Sequence, residues 1–467
     1  MEKIIIQKMN DSKLPVTFSY DIDRGVTDTF FTNIAAQVLN GLVLYCHEAR
    51  KWLVWNGQRW VIDPPCGIFP HVKNVINALY SKALSLNDSK RISLLSELIK
   101  LESHSRQVNL VKALSVIPKL AITGNCLDEN PMLLNCLNGT IDLSTGNLLL
   151  HNPNHRITKI VNCEYKASES CPIFLAFLDK IFGGNNDLIE YIKRFFGYCL
   201  TGKINEQVLV FFYGTGGNGK STLIDTFIEL LNDYSVSAPA ELLMLKNNQS
   251  ISNDIARLKG SRIVAVNEVE EDAKLAEAKI KSLTGGDTIA ARFLFQEFIE
   301  FTPKCKFILV GNHKPAIKGS DEGIWRRIHE VPFTVKIREE DKIPNLKEKI
   351  REEFPGILAW AVQGCLEWQE KGLLPPAEVL SATKSYRRDE DTFTQWIENC
   401  CELENGVKDT ADNLLSSFKE YCGLTEITPQ KFTRKLNETS GMNGIQVTQQ
   451  KLGGGLRVWH GIRVASK

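Results

Sequence analysis

Nine consecutive residues, Gly214-Thr215-Gly216-Gly217-Asn218-Gly219-Lys220-Ser221-Thr222, have the types and spacing to hold phosphate. They fit the pattern GxxxxGK[ST], which cradles phosphates when it joins a strand to a helix. Glycines let main-chain N–H groups converge on phosphate oxygens where a Cβ would clash. The start of a helix adds a partial positive charge. Lys220 has the reach for the β- and γ-phosphates, and Ser221 offers a hydroxyl to Mg²⁺. The chemistry implied is binding of ATP with Mg²⁺, and all nine residues are candidate contacts.

Three further groups could complete a phosphoryl-transfer site. Residues 262–266 (Arg-Ile-Val-Ala-Val) are strand-like and run into Asn267-Glu268-Val269-Glu270-Glu271-Asp272. Glu268 falls at the strand's C-terminal edge, where open α/β sheets place ligands. There it could hold Mg²⁺ through water or orient the attacking water. Glu270 stays open as the alternative base, whereas Glu271 suits the acidic first turn of a following helix. A second apolar run, 307–310, ends in Gly311-Asn312-His313, so Asn312 is placed to point at the γ-phosphate. Then comes Trp325-Arg326-Arg327-Ile328. Arginine stabilises a transferring phosphoryl group, often across a subunit boundary. The alternative for this pair is a solvated turn.

Elements must bring these groups together. Residues 208–213 (Val-Leu-Val-Phe-Phe-Tyr) read as a buried strand ahead of the glycine loop, and 223–231 as a helix after it. Residues 205–335 form a strand–loop–helix array of α/β type. Upstream, 43–45 and 51–60 suggest a hairpin turning at Asn56-Gly57. Its aromatics Tyr45, Trp52, Trp55 and Trp60 could stack bases, but a small aromatic core is the favoured reading. A second hairpin turns at Ser144-Thr145-Gly146-Asn147. Residues 172–200 show helical periodicity, and Pro375-Pro376 marks a break. The last 50 residues carry eight Lys/Arg against three Glu. Helical stretches there precede two strand-like runs about Gly453-Gly454-Gly455, as in a winged helix; the alternative is a cap that stabilises an oligomer.

Composition narrows the field. The chain has 467 residues, 43% hydrophobic and 24% charged, with formal net charge +1. Whole-chain disorder, collagen and coiled coil are excluded, and any nucleic-acid contact must be local. Twelve scattered cysteines without a CxxC pair are no disulfide or zinc framework and suit a reducing cytoplasm. No apolar run approaches the length of a membrane span. The N-terminus does not read as a secretory signal. Asp21-Ile22-Asp23, a possible metal-holding DxD, has too little flanking sequence for a polymerase-like fold and reads as a loop.

In order, GTGGNGKST, RIVAVNEVEE, KIKSLTGGDTIAARFLFQEF, FILVGNHKP and GIWRRIHEVPF resemble a superfamily 3 helicase. More narrowly, they resemble the helicase half of phage- and plasmid-type primase–helicases, a group that includes the poxvirus primase–helicase. KWLVWNGQRW and LNGTIDLSTGNLLLH resemble the region preceding the helicase in that group. The resemblance implies an AAA+ core that assembles as a hexameric ring around DNA. It places Lys220 and Ser221 in the phosphate loop, Glu268 at the acidic strand end and Asn312 as the sensor asparagine. It matches Arg327, with Arg326 adjacent, to the arginine finger and Lys281 to the basic residue of an extra motif, as a further DNA contact. It likens 289–301 to a hairpin projecting into the ring channel, with Arg292, Phe293, Phe295 and Gln296 as DNA contacts. Two departures stand out: a single acid at the strand end, and a hairpin with Phe293, Phe295 and Phe298 where related viral helicases place lysine or histidine; a place in the core is the favoured alternative for these aromatics.

The expected architecture is therefore α/β. It comprises an N-terminal α+β domain over 1–165, a helical collar over 166–204, an AAA+ P-loop ATPase core over 205–375 and a winged-helix-like module over 376–467. The expected activity is ATP-driven translocation on single-stranded or forked DNA by a homo-hexamer of phage, plasmid or mobile-island type, without membrane contact. The region before the helicase begins too early to leave room for a primase domain, so a separate primase or polymerase is the expected partner. Two other readings fit parts of the sequence. A nucleotide or small-molecule kinase would need an acceptor pocket and would not be stimulated by DNA. An ATP-switched initiator would melt an origin without processive unwinding.

Overall fold

The computed structural model describes residues 25–63, 67–245, 253–267, 270, 273–292, 298–317, 322–422, 428–438, 445–451 and 457–465. Asp21 and Asp23 lie outside the described residues.

The chain opens with the helix Asp28–Val38, whose start is fixed by Thr27 Oγ1 accepting from Phe30 N at 3.3 Å. Its apolar face, Phe31, Ile34 and Ala35, packs against the helices Ile68–Ala83, Asp88–Leu101 and His104–Leu114. Strands β1 (Val43–Cys46), β2 (Lys51–Trp55), β3 (Trp60–Ile62) and β4 (Ala121–Ile122) form a sheet of order β3-β2-β1-β4. The predicted Asn-Gly turn joins β2 to β3. Asn56 Oδ1 accepts from Gln58 N at 2.9 Å and Arg59 N at 2.8 Å, and Gly57 has φ 96°. Trp60 is only 2% exposed and donates Nε1 to Pro153 O at 2.8 Å. That ring belongs to a core and is not offered to bases. A second small sheet contains β5 (Leu133–Cys136), β6 (Gly139–Asp142) and β7 (Asn147–Leu149). The β6–β7 connection is the second predicted hairpin.

A five-stranded parallel sheet follows. Its strands are β8 (Leu209–Tyr213), β9 (Ser235–Pro239), β10 (Ile263–Asn267), β13 (Lys306–Gly311) and β14 (Ile328–Pro332), in the order β14-β8-β13-β10-β9. The intervening β11 (Ile289–Ala291) and β12 (Ile299–Phe301) pair with each other as an antiparallel hairpin. Side chains alternate across the large sheet, as strand geometry requires. Val210, Phe212, Ile263, Ala265 and Ile308 enter one core, and Leu209, Phe211, Val264, Val266, Phe307 and Leu309 the other. Burial on both faces is why these strands read as unbroken apolar runs.

The first of these cores is completed by the helices Pro172–Ile181, Asn186–Cys199 and Phe354–Lys371. The last two approach closely through glycine. A Cβ on Gly197 would lie 2.1 Å from Cys365 N, and one on Gly364 would lie 2.1 Å from Lys193 O. Pro376 precedes the helix Ala377–Glu390, which packs on β14, with Thr383 Oγ1 accepting from Glu330 N at 3.0 Å.

The C-terminal elements run helix Thr392–Cys400, β15 (Cys401–Thr410), helix Ala411–Cys422, helix Pro429–Glu438, β16 (Thr448–Lys451) and β17 (Arg457–Val464). The strands pair antiparallel in the order β15-β17-β16. Their core gathers Phe393, Trp396, Phe418, Phe432 and Trp459. The Gly453–Gly455 turn lies outside the described residues. No described helix is long and apolar enough to cross a membrane.

Candidate functional site

The loop between β8 and the helix Lys220–Leu231 is shaped by its glycines. Gly219 has φ 84°, and a Cβ there would sit 2.5 Å from Ile181 Cγ2. Both facts exclude other residues. A Cβ on Gly214 would meet Phe333 O at 2.4 Å, so this glycine seats the loop against the segment after β14. Residues 216–222 line a cleft of about 500 Å³ together with Asp225, Asn267 and Val310–His313. Gly214 and Thr215 lie outside its lining. Ser221 is exposed on the first turn of the helix, and Thr222 is half-buried.

Lys220 is 5% exposed. Its ammonium donates to Gly214 O, to Asn218 Oδ1 at 3.1 Å and to Asn312 Oδ1 at 3.2 Å. All three acceptors are neutral. Burial holds the ammonium below the usual lysine range. Among the described residues this buried cation is bonded to neutral groups alone, an arrangement that favours an anion beside it. Asn218, 4% exposed, is fixed by donating Nδ2 to Phe333 O at 3.2 Å.

Strand register explains why these groups meet. Gly311 pairs with Tyr213, and Asn267 with Val310, so the C-terminal ends of β8, β13 and β10 align. Asn312 therefore stands across from the glycine loop, and Asn267 lines the same cleft. Glu268 lies outside the described residues, as do Phe293, Phe295 and Gln296. Glu270 is exposed beyond the end of β10.

The two arginines differ. Ile328 pairs with Leu209 and Pro332 with Tyr213, so Arg326 and Arg327 precede the N-terminal end of β14, at the sheet edge opposite the glycine loop. Four residues of parallel strand separate the edges by about 13 Å. Arg327 is 7% exposed. It donates Nε to Thr284 Oγ1 at 3.1 Å, one terminal nitrogen to Gln207 Oε1 at 3.0 Å and the other to Gly323 O. These bonds tie the start of β14 to neighbouring elements of the same chain. Arg326 is exposed beside it.

Lys281 is half-buried on the helix Glu277–Gly285. Arg292 is exposed on the β11–β12 hairpin, its guanidinium 5.2 Å from the centre of the Phe298 ring. Phe298 is 53% exposed, so this aromatic does not belong to a core.

Sequence reading passed over two polar pairs on β14. His329 Nδ1 lies 2.8 Å from Tyr191 Oη, and burial pushes the imidazole down to about 4. Glu330, 3% exposed at its side chain, pairs with Lys314 at 2.9 Å, two residues past Asn312. Lys314 also lies 4.6 Å from the centre of the Tyr213 ring. The only signal in the sequence was two polar residues inside an apolar strand.

Residues 34–183 match the family described as D5 N terminal like, and residues 212–327 match a family of unknown function (DUF5906). Among curated relatives, "Putative helicase L207/L206" of Acanthamoeba polyphaga mimivirus is 31% identical over 294 residues, 58% of this chain and 30% of that protein. "Putative helicase 022R" of Frog virus 3 is 26% identical over 53% of this chain and 27% of its own length. The chain thus matches about 30% or less of the length of these relatives. The apo structure of the NrS-1 C-terminal region aligns over 90% of this chain and 96% of its own, with 12% identity and a TM-score of 0.47. The chain is thus similar, over part of its length, to viral proteins described as putative helicases, with a D5 N terminal like match ahead of its phosphate loop.

Proposed function

We propose that this chain is an ATP-hydrolysing DNA helicase of the AAA+ type that works as a homo-hexameric ring. The observation that carries the reading is the buried Lys220 ammonium. Among the described residues its bonds go to neutral groups of the glycine loop and Asn312, at the aligned C-terminal ends of three parallel strands. Its donor set suits the β- and γ-phosphates of ATP. Ser221 and Glu268 would hold Mg²⁺, which supplies charge neutralisation on the phosphates. Asn312 would sense the γ-phosphate, and Glu268 or Glu270 would orient the attacking water.

Arg326 cannot serve the loop of its own chain across the width of the sheet, whereas on a neighbour it can complete the site. That supports a ring, with Arg326 as the finger and Arg327 as its structural support. The exposed Arg292 and Phe298 on the β11–β12 hairpin suit a strand passing the ring channel. The helix–strand–helix–helix–hairpin order of the C-terminal elements is that of a winged helix and favours a DNA contact there.

The deciding experiment measures ATP hydrolysis with and without single-stranded DNA, and strand separation on a long forked duplex. DNA-stimulated hydrolysis with displacement supports the proposal. Stimulation with melting of short duplexes alone would favour an initiator, and hydrolysis indifferent to DNA would refute both.

A further inference from the structure

A second and larger cleft, of about 1040 Å³, lies between the β3-β2-β1-β4 sheet and the foot of the β11–β12 hairpin. Six Lys/Arg side chains line it against three carboxylates. Two of these carboxylates, Asp128 and Asp233, are engaged already, and the third, Glu300, is exposed. Asp128 accepts from Thr158 N at 2.8 Å and Thr158 Oγ1 at 2.5 Å. Asp233 accepts from Arg59 and from Ile160 N at 3.2 Å. Glu48, outside the lining but near Lys259, accepts from Gly124 N at 2.7 Å.

Two of the cations are tied to main-chain oxygens. Lys159 Nζ donates to Asp233 O at 2.8 Å, and Lys304 Nζ to Glu129 O at 3.0 Å and Asp128 O at 3.3 Å. These bonds fix the ammonium groups in place without cancelling their charge. Lys51, Arg257 and Lys259 are exposed, with Asp254 3.9 Å from Arg257. Fixed cations at the base and exposed ones outside make an electropositive trough in a chain whose net charge is only +1. Such a trough takes phosphate groups by charge and not by base identity.

We propose that this cleft binds the sugar–phosphate backbone of a single nucleic-acid strand, independently of the ATP cleft. The volume is about twice that of the ATP cleft, and the trough is continuous with the hairpin through Thr288 and Thr302. The choice of a strand over a free nucleotide rests on the function proposed above.

The test compares the full-length protein with its Lys51→Glu/Arg257→Glu/Lys259→Glu variant, all at exposed positions. Binding of a fluorescent oligothymidylate is followed over a salt series, and binding of a fluorescent ATP analogue is titrated in parallel. The variant is expected to bind the strand at least about tenfold more weakly at low salt. Its log–log salt dependence should be shallower by about 2, from roughly 0.7 for each of three lost phosphate contacts. One ATP analogue per chain should bind with unchanged affinity, which also shows that the variant is folded. Unchanged strand affinity and salt slope would overturn the proposal. Loss of a second bound nucleotide with no change in strand binding would also overturn it, assigning the cleft to a free nucleotide. If the wild type binds the strand through this cleft yet separates no duplex, the helicase reading fails and the cleft assignment stands.

Discussion

The proposed chemistry turns on one ammonium group, that of Lys220. Lys220→Ala removes the cation and leaves Asn218 and Asn312 without their shared donor. The expected outcome is loss of ATP hydrolysis by at least about two orders of magnitude, as befits removal of a preorganised phosphate-binding charge; phosphate-release kinetics measure it, and near-normal turnover would refute the nucleotide assignment. Arg327 calls for the opposite expectation. Its three bonds join the Glu277–Gly285 helix, Gln207 and Gly323. Arg327→Ala should destabilise the protein by about 2–4 kcal/mol, because the buried Thr284 and the half-buried Gln207 and Gly323 lose their donor and a cavity opens. Denaturant unfolding reads this directly, and a midpoint equal to wild type would restore Arg327 as a free finger. The sequence showed two adjacent arginines but not which one faces inward. Ile328 begins an alternating strand, so one residue of register decides which side chain is buried, and only the packing of Thr284 and Gln207 fixes it.

At the scale of elements, the sequence was most legible where a rule is local. The Asn56-Gly57 hairpin and the strand–glycine loop–helix unit each depend on a few adjacent residues, and both stand where their residue types place them. The joining of distant helices was not legible. Gly197 and Gly364 are ordinary residues in their own helices, and their purpose emerges only where the two backbones touch. The same holds for His329 on β14, which meets Tyr191 from the Asn186–Cys199 helix. Burial keeps this imidazole neutral, with its proton affinity lowered from the ordinary 6.5 to about 4. As pH falls through 6.5, the unfolded chain takes up the proton first. The contribution to stability is therefore complete above pH 6.5, declines between 6.5 and about 4, and declines no further below that. His329→Gln keeps a polar partner for Tyr191 but cannot titrate. Its unfolding midpoint should fall less steeply than that of wild type over the same interval, and parallel profiles would show that His329 is not the titrating group.

For the whole molecule, the decisive geometry is the width of the parallel sheet. The glycine loop and Arg326 occupy opposite edges, so under the proposed function one chain would present half of a site at each. Under that proposal, closing both halves would take copies arranged head to tail, and a head-to-tail contact that closes makes a ring. Arg326→Ala should then bind ATP, assemble, and hydrolyse more slowly by about 10³–10⁵, the contribution of an arginine finger in related systems. Lys220→Ala fails for a different reason, since its own loop is defective while its arginine is intact. Mixing the two proteins creates some interfaces that pair a working loop with a working arginine, and partial ATPase should return. Recovery should depend on the mixing ratio and vanish when subunits cannot exchange. Loss in Arg326→Ala without complementation would place the arginine's action within its own chain, against the separation of the sheet edges. Full activity in Arg326→Ala would leave the residue a solvated surface group and remove the structural reason for a ring.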